Sequence, residues 1–326
     1  YATGIMNRDG QLSPCSSELN VLRERCKYMR GWFSHFLLLV LARLPRRVSQ
    51  LLGRIVGHLS YLFRTRAYQV TVANLLLCFP ELSDEERMKL VKKSLQSTGQ
   101  TLMETPAAWL AGSSVLEKWI AGVSSSELLD EAIDGGNGTI VLLPHMGNWE
   151  LFNAYFATRG KMTALYQPPR KPHLQKIMKR VRSRFGNELV ATNVKGIARL
   201  YRVLKNGGVV TILPDQVPAR GLYAPFFGNA ALTDQLISRL ALKTRARVVA
   251  ACVIRLDDGR FEIKFSSVDE GIYSKDIELS VRAINATVEN CVKEIPAQYQ
   301  WEYKRFKVRP SGEKRVYRFN KPDAFH

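Results

Sequence analysis

The pattern of apolar and polar positions changes character along the chain. From Gly31 to Pro80 apolar residues dominate, Asp, Glu and Lys are absent, and Arg43, Arg46, Arg47, Arg54, Arg64 and Arg66 are the only charged punctuation. The densest run, Phe36 to Ala42, falls in an apolar stretch shorter than the roughly 18 to 20 residues that a helix needs to span a bilayer. Pro45 ends that run. Val48 to Phe63 then resumes with Leu51, Leu52, Ile55, Val56, Leu59 and Leu62 at helical spacing. Two readings fit: an interfacial helix pair with arginines reaching anionic headgroups, or N-terminal helices docked on the protein's own core.

After Phe79-Pro80 the composition becomes ordinary. Ser83-Asp-Glu-Glu86 reads as an N-cap with first-turn acids and predicts a helix to about Met103, ending before Pro106. A short helix over Ser124 to Ile133 follows, and Gly135 to Gly138 leads into alternating elements. Strands are predicted at Ile140–Leu143, Thr163–Tyr166, Leu189–Ala191, Val209–Leu213, Arg247–Arg255 and Phe261–Phe265. Helices are predicted at Leu151–Thr158, Leu174–Arg184, Val194–Lys205 and Gln235–Lys243. This is an α/β pattern. In open sheets of this kind the site lies beyond the carboxyl ends of the strands.

That rule draws attention to His145, in the turn after the first of these strands. Glu150 stands five positions on, in the first turn of the next helix, where it could accept the imidazole Nδ1 proton and leave Nε2 to activate a hydroxyl. A first-turn carboxylate is also favoured by the helix dipole alone. Asp215 follows another strand in Leu213-Pro-Asp-Gln216, either pairing with an arginine or forming the turn. Gly221 to Gly228 brings Phe226 and Phe227 between two glycines, as the wall of an apolar ligand site or as a core loop.

Charge narrows the partners. The 326 residues carry 48 Lys plus Arg against 29 Asp plus Glu, a net +19, so the protein seeks anions. Eight of those cations lie between Lys161 and Arg184 with no acid among them, either as a solvated basic helix or as a platform for phosphate or an acidic protein. Aromatics are not interleaved with that run, which disfavours nucleic acid. The five cysteines have neither C-x-x-C nor metal-ligand spacing, which predicts reduced, mostly buried thiols and no metal. The first twenty residues lack the pattern of a signal peptide.

Taken in order, several motifs resemble the bacterial lipid A biosynthesis acyltransferase family. They are Asn74-Leu with Phe79-Pro-Glu81, the H-x4-E spacing of His145 and Glu150, and Tyr166 leading through the basic helix to Arg182 and Gly186. Gly207-Gly-Val-Val, Pro214-Asp-Gln216, Pro225-Phe-Phe-Gly228, Gln298-Tyr-Gln-Trp301, Arg305-Phe-Lys307 and Arg309-Pro310 follow. H-x4-D/E is shared by a wider set of glycerolipid acyltransferases, so the later motifs carry the finer assignment.

The resemblance implies a central mixed sheet flanked by helices, with N-terminal membrane-associating helices. It implies a fatty acyl chain passed from acyl carrier protein, with coenzyme A as the alternative carrier, to a hydroxyl of an anionic glycolipid at the cytoplasmic face of the inner membrane. No cofactor or metal enters. His145 and Glu150 form the base dyad; Arg182, with Arg184, meets phosphate or shapes the site; Asp215 orients that arginine; Tyr166, Phe226, Phe227 and Gly228 support. In the family a histidine commonly precedes the C-terminal basic pair; Tyr303 stands there.

The expected organisation is an unassigned segment 1–27, membrane-associating helices 28–80, an acyltransferase domain 81–311 and a polar tail 312–326. Ornithine lipid, a lysophospholipid or another glycolipid is the alternative acceptor. A non-catalytic basic membrane adaptor is the rival of a different class.

Overall fold

The strands read from residue 138 onward come together in a seven-stranded sheet. The structure, a computed structural model, describes residues 36–166, 185–317 and 319. The strands are β1 (Ile120–Ser124), β2 (Thr139–Leu142), β3 (Met162–Tyr166), β4 (Glu188–Ala191), β5 (Val209–Ile212), β8 (Arg247–Arg255) and β9 (Phe261–Ser266), with a separate antiparallel hairpin of β6 (Leu222–Phe226) and β7 (Asn229–Thr233). The spatial order is β1-β9-β8-β2-β5-β3-β4. Neighbours from β8 to β4 are parallel; β9 runs antiparallel to β8 and parallel to β1, so the sheet is mixed.

The central strands are apolar on both sides because both faces are covered. Ile140 and Leu142 join one core with Val210, Ile212, Val248 and Ala250. Val141 and Leu143 join the other with Val209, Val249, Ala251 and Val253. The helices are α1 (Arg46–Leu62), α2 (Arg66–Cys78), α3 (Asp84–Leu110), α4 (Ser113–Glu117), α5 (Glu127–Asp134), α6 (Leu151–Phe156), α7 (Val194–Lys205), α8 (Leu236–Thr244) and α9 (Ile277–Glu294). Cys78, Cys252 and Cys291 are buried free thiols.

Several elements depart from the sequence reading. Ser83 does cap α3 through a reciprocal pair with Glu86, but α3 runs through Pro106 to Leu110. Proline forfeits one backbone hydrogen bond, while burial of Ala107 and Ala108 keeps the last turn in place. β1, the hairpin and α9 are elements that the apolar pattern does not predict. The hairpin turns on Phe227 and Gly228, both with positive φ, as a two-residue connection requires.

Around Pro45 the chain behaves as predicted: residues 36–42 are helical and α1 begins at Arg46. The orientation of α1 is inverted relative to an ordinary surface helix. It buries Ser49, Gln50, Gly53 and Gly57 and leaves Leu51 58 %, Ile55 47 % and Leu59 43 % exposed. The inward face is small because α1 crosses α3 at backbone contact: a Cβ on Gly57 would overlap the Leu95 carbonyl, and one on Gly99 the Gly53 carbonyl. Among the described residues no helix is long and apolar enough to cross a membrane.

Candidate active site

The sheet register builds the site. Leu142 on β2 is paired with Ile212 on β5, so the chain three residues beyond each strand places His145 beside Asp215. Asp215 Oδ2 accepts from the His145 backbone N–H at 2.8 Å, and Oδ1 lies 2.7 Å from His145 Nδ1. An ionised carboxylate can only accept, so this contact fixes the proton on Nδ1 and leaves the Nε2 lone pair outward. Asp215 has 2 % of its side chain exposed, His145 15 %. Burial opposes ionisation of Asp215, yet His145 and the hydrogen bonds from its ring and backbone outweigh it and hold the carboxyl below the usual carboxylate range.

The turn carrying His145 is held from the core side by several contacts. The Trp149 ring meets the imidazole edge-on at 4.9 Å. His145 O accepts from Gln300 N at 3.1 Å, and Gly147 N donates to Gln298 O at 2.8 Å. Gly147 is obligatory: its φ is +55° and a Cβ would collide with the Val253 carbonyl. Thr101 Oγ1 donates to Gly147 O at 2.8 Å, and Asn148 Nδ2 to Glu104 Oε2 at 3.1 Å, which ties the turn to α3. On the open side, Gln216 Nε2 stands 3.3 Å from His145 Nε2 and donates to Gln300 Oε1 at 3.2 Å.

The contact on Nδ1 differs from the sequence reading. The carboxylate on Nδ1 is Asp215 and not Glu150, because strand pairing brings Asp215 alongside. Glu150 sits on helical backbone at the N-cap of α6. Asp215 accordingly faces the histidine through both of its carboxylate oxygens. Arg182 and Arg184, with the rest of the predicted basic helix Leu174–Arg184, lie outside the described residues. Tyr166 closes β3, paired with Ala191 of β4, and its carbonyl accepts from Thr192. Phe226 is fully buried against Tyr299 and Phe306, and half-buried Phe227 packs on Phe79 and Trp301, so the two rings anchor the hairpin on the core while Gly228 is exposed at its tip.

Asn74 and the C-terminal motif residues hold backbone groups and one side-chain hydroxyl. Asn74 Nδ2 donates to the carbonyls of Trp301 and Tyr303, at 2.7 and 2.8 Å. Buried Arg305 donates to Leu232 O at 2.6 Å and Thr233 Oγ1 at 2.8 Å. Tyr303, to which no role was given, accepts from the Val217 N–H at 2.9 Å and so pins the segment after Gln216. Gln216 itself was missed as a neighbour of the base, although it follows Asp215 directly in the sequence.

A histidine gripped by a buried carboxylate beyond the strand ends of an α/β sheet is the layout of an enzyme that activates a hydroxyl for group transfer. Comparison with known proteins gives that class its family. The chain belongs to the bacterial lipid A biosynthesis acyltransferases, whose family model matches residues 18–308. It is 30 % identical over 296 residues to the lipid A biosynthesis palmitoleoyltransferase of Escherichia coli K12, covering 89 % of this chain and 95 % of that one. The lauroyltransferase of the same organism is 27 % identical, with 88 % and 94 % covered, and the myristoyltransferase 29 % identical, with 82 % of each. The protein is an acyltransferase of lipid A biosynthesis.

Proposed function

We propose that the protein transfers a fatty acyl chain from a thioester on acyl carrier protein to a hydroxyl of a lipid A precursor, with His145 as general base and Asp215 holding it. The observation that carries the reading is the contact of buried Asp215 with both His145 Nδ1 and His145 N. The acceptor hydroxyl gives its proton to Nε2 as its oxygen attacks the thioester carbonyl. The tetrahedral intermediate collapses with loss of the thiolate, which takes the proton back from the imidazolium, leaving an ester and a free thiol. Ionised Asp215 stabilises the imidazolium between these steps. The Gln216 amide, beside Nε2, is placed to move onto substrate oxygen when the hydroxyl binds. Glu150 remains part of the H-x4-E spacing, and its weight in turnover is read by substitution.

The acceptor is taken from the family and from the curated relatives, all named for lipid A. The net charge of +19 suits an acidic carrier protein and a phosphorylated lipid. Attachment to the cytoplasmic face of the inner membrane is supported by the exposed leucines and isoleucine of α1, flanked by Arg43, Arg47 and Arg54. A soluble surface does not ordinarily display such a stripe.

Transfer of a radiolabelled acyl chain from acyl carrier protein to a tetra-acylated lipid A precursor tests the proposal. The wild type is expected to form product, and His145→Ala to lose about 10²- to 10⁴-fold in kcat while still folded. Normal turnover in that variant would sink the mechanism. A folded, membrane-bound wild type that is silent here but active on ornithine lipid or a lysophospholipid would move the acceptor.

A further inference from the structure

One cavity beside the base is not used by this mechanism. A slot of about 260 Å³ runs between α3 and the segment after α9, along the His145 turn. Thr98, Thr101, Gln300 and Glu302 give it polar walls, and Trp149 and Leu102 give it apolar ones. It is smaller than the roughly 300 to 1,000 Å³ of sites that enclose a whole ligand, so it suits one portion of a larger substrate.

Glu302 decides what portion that is. Its Oε2 accepts from Thr98 Oγ1 at 2.9 Å, and among the described residues no lysine or arginine pairs with it. Burial raises its carboxyl above the usual range, against hydrogen bonds from its own backbone, Thr98 and Gln300. A carboxyl kept neutral both donates and accepts, whereas its ionised form would repel phosphate; either way the slot does not suit an anion. The polar line is continuous with the chemistry. Glu302 touches Gln300, Gln300 Oε1 accepts from Gln216, and the same Gln216 nitrogen lies 3.3 Å from His145 Nε2.

We infer that this slot is a subsite for a neutral hydrogen-bonding group of the substrate, an amide or a hydroxyl adjoining the reacting centre, and that Glu302 sets its specificity. The inference rests on the acyl-transfer reading above, in which both substrates carry such groups: amides on the thioester arm of the donor, hydroxyls and amides on the glycolipid acceptor. The apolar walls at Trp149 and Leu102 fit the hydrocarbon attached to either.

The test varies donor and acceptor separately in wild type, Glu302→Leu, Glu302→Gln and Thr98→Val. Glu302→Leu is expected to raise one KM by about 10-fold, the loss of one or two buried hydrogen bonds, with kcat within about 3-fold. A raised donor KM assigns the slot to the thioester arm, a raised acceptor KM to the glycolipid. Glu302→Gln keeps a donor and an acceptor and is expected to stay near wild type. Both KM values within 2-fold of wild type in folded Glu302→Leu, or equal damage from Glu302→Gln, would overturn the inference. Should Glu302→Leu fail to fold, Thr98→Val reads the same wall by the same criteria. Equilibrium binding of pantetheine and of N-acetylglucosamine to wild type and the variants needs no turnover. A silent transfer assay would therefore count against the proposed function, while binding of neither probe would count against the slot.

Discussion

Two buried carboxylates, Glu104 and Asp215, sit a few residues apart in space along the His145 turn and are used in opposite ways. Glu104 is closed on itself. It takes Arg255 Nε and Nη2 at 2.9 and 2.6 Å, Gln50 Nε2 at 2.8 Å and Asn148 Nδ2 at 3.1 Å, while Ser97 and Thr101 each accept a further guanidinium proton. With side-chain exposures of 0 % and 5 %, the pair clasps α1, α3, β8 and the turn together. Asp215 is equally buried, but its partner is an imidazole with a second nitrogen at the cleft. Surrounding a carboxylate with fixed donors makes a fastener; leaving one basic nitrogen at the end of the network makes a reagent.

Replacing each carboxylate in turn separates the two roles. Asp215→Asn is expected to give the largest effect on turnover, about 10²- to 10⁴-fold in kcat, because the amide neither fixes the tautomer nor steadies the imidazolium. Glu150→Gln is expected to cost less in the same assay; the reverse order would return the Nδ1 role to Glu150. Glu104→Ala is expected to cost about 3 to 5 kcal/mol of stability by stranding buried Arg255, with part recovered in Glu104→Met combined with Arg255→Met. Urea unfolding of the single and double variants measures this.

The acid side of the stability curve sharpens the comparison further. Because the folded pKa of Asp215 is lowered, its contribution is present above the unfolded carboxylate value of about 3.9 and is lost as pH falls through the folded one. The gap in urea midpoint between wild type and Asp215→Asn is therefore expected to be wider at pH 6 than at pH 3. The smallest effect on the purified protein is expected from Leu51→Asp with Leu59→Asp: unchanged unfolding and weakened sedimentation with anionic vesicles.

How much of this was legible in the chain depends on sequence distance. The strand ending at Leu142 and the turn holding His145 follow from a local apolar run and Pro144, and both are found. The identity of its partner does not, because Asp215 is 70 residues away and arrives only through the pairing of β2 with β5. Glu150 is the carboxylate that sequence proximity offers, although helix geometry gives it an equally local explanation. The hairpin was hidden for a different reason: Phe227-Gly228 lacks the Asn-Gly signal of its turn type, and Phe226 reads equally well as ligand wall or core. β1 is short, and its Gly122 and three exposed middle residues give no alternation to detect.

The Gly53-Arg-Ile-Val-Gly57 spacing on the inner face of α1 has a consequence for how the protein tolerates its surroundings. Small residues four apart that let two helices touch at the backbone are the grammar of helix pairs immersed in hydrocarbon, where association cannot draw on the exclusion of water. The crossing of α1 with α3 is therefore indifferent to whether the outward leucines face buffer, detergent or acyl chains. Whatever medium covers the outward face of α1, the interface that fastens it does not depend on which medium it is.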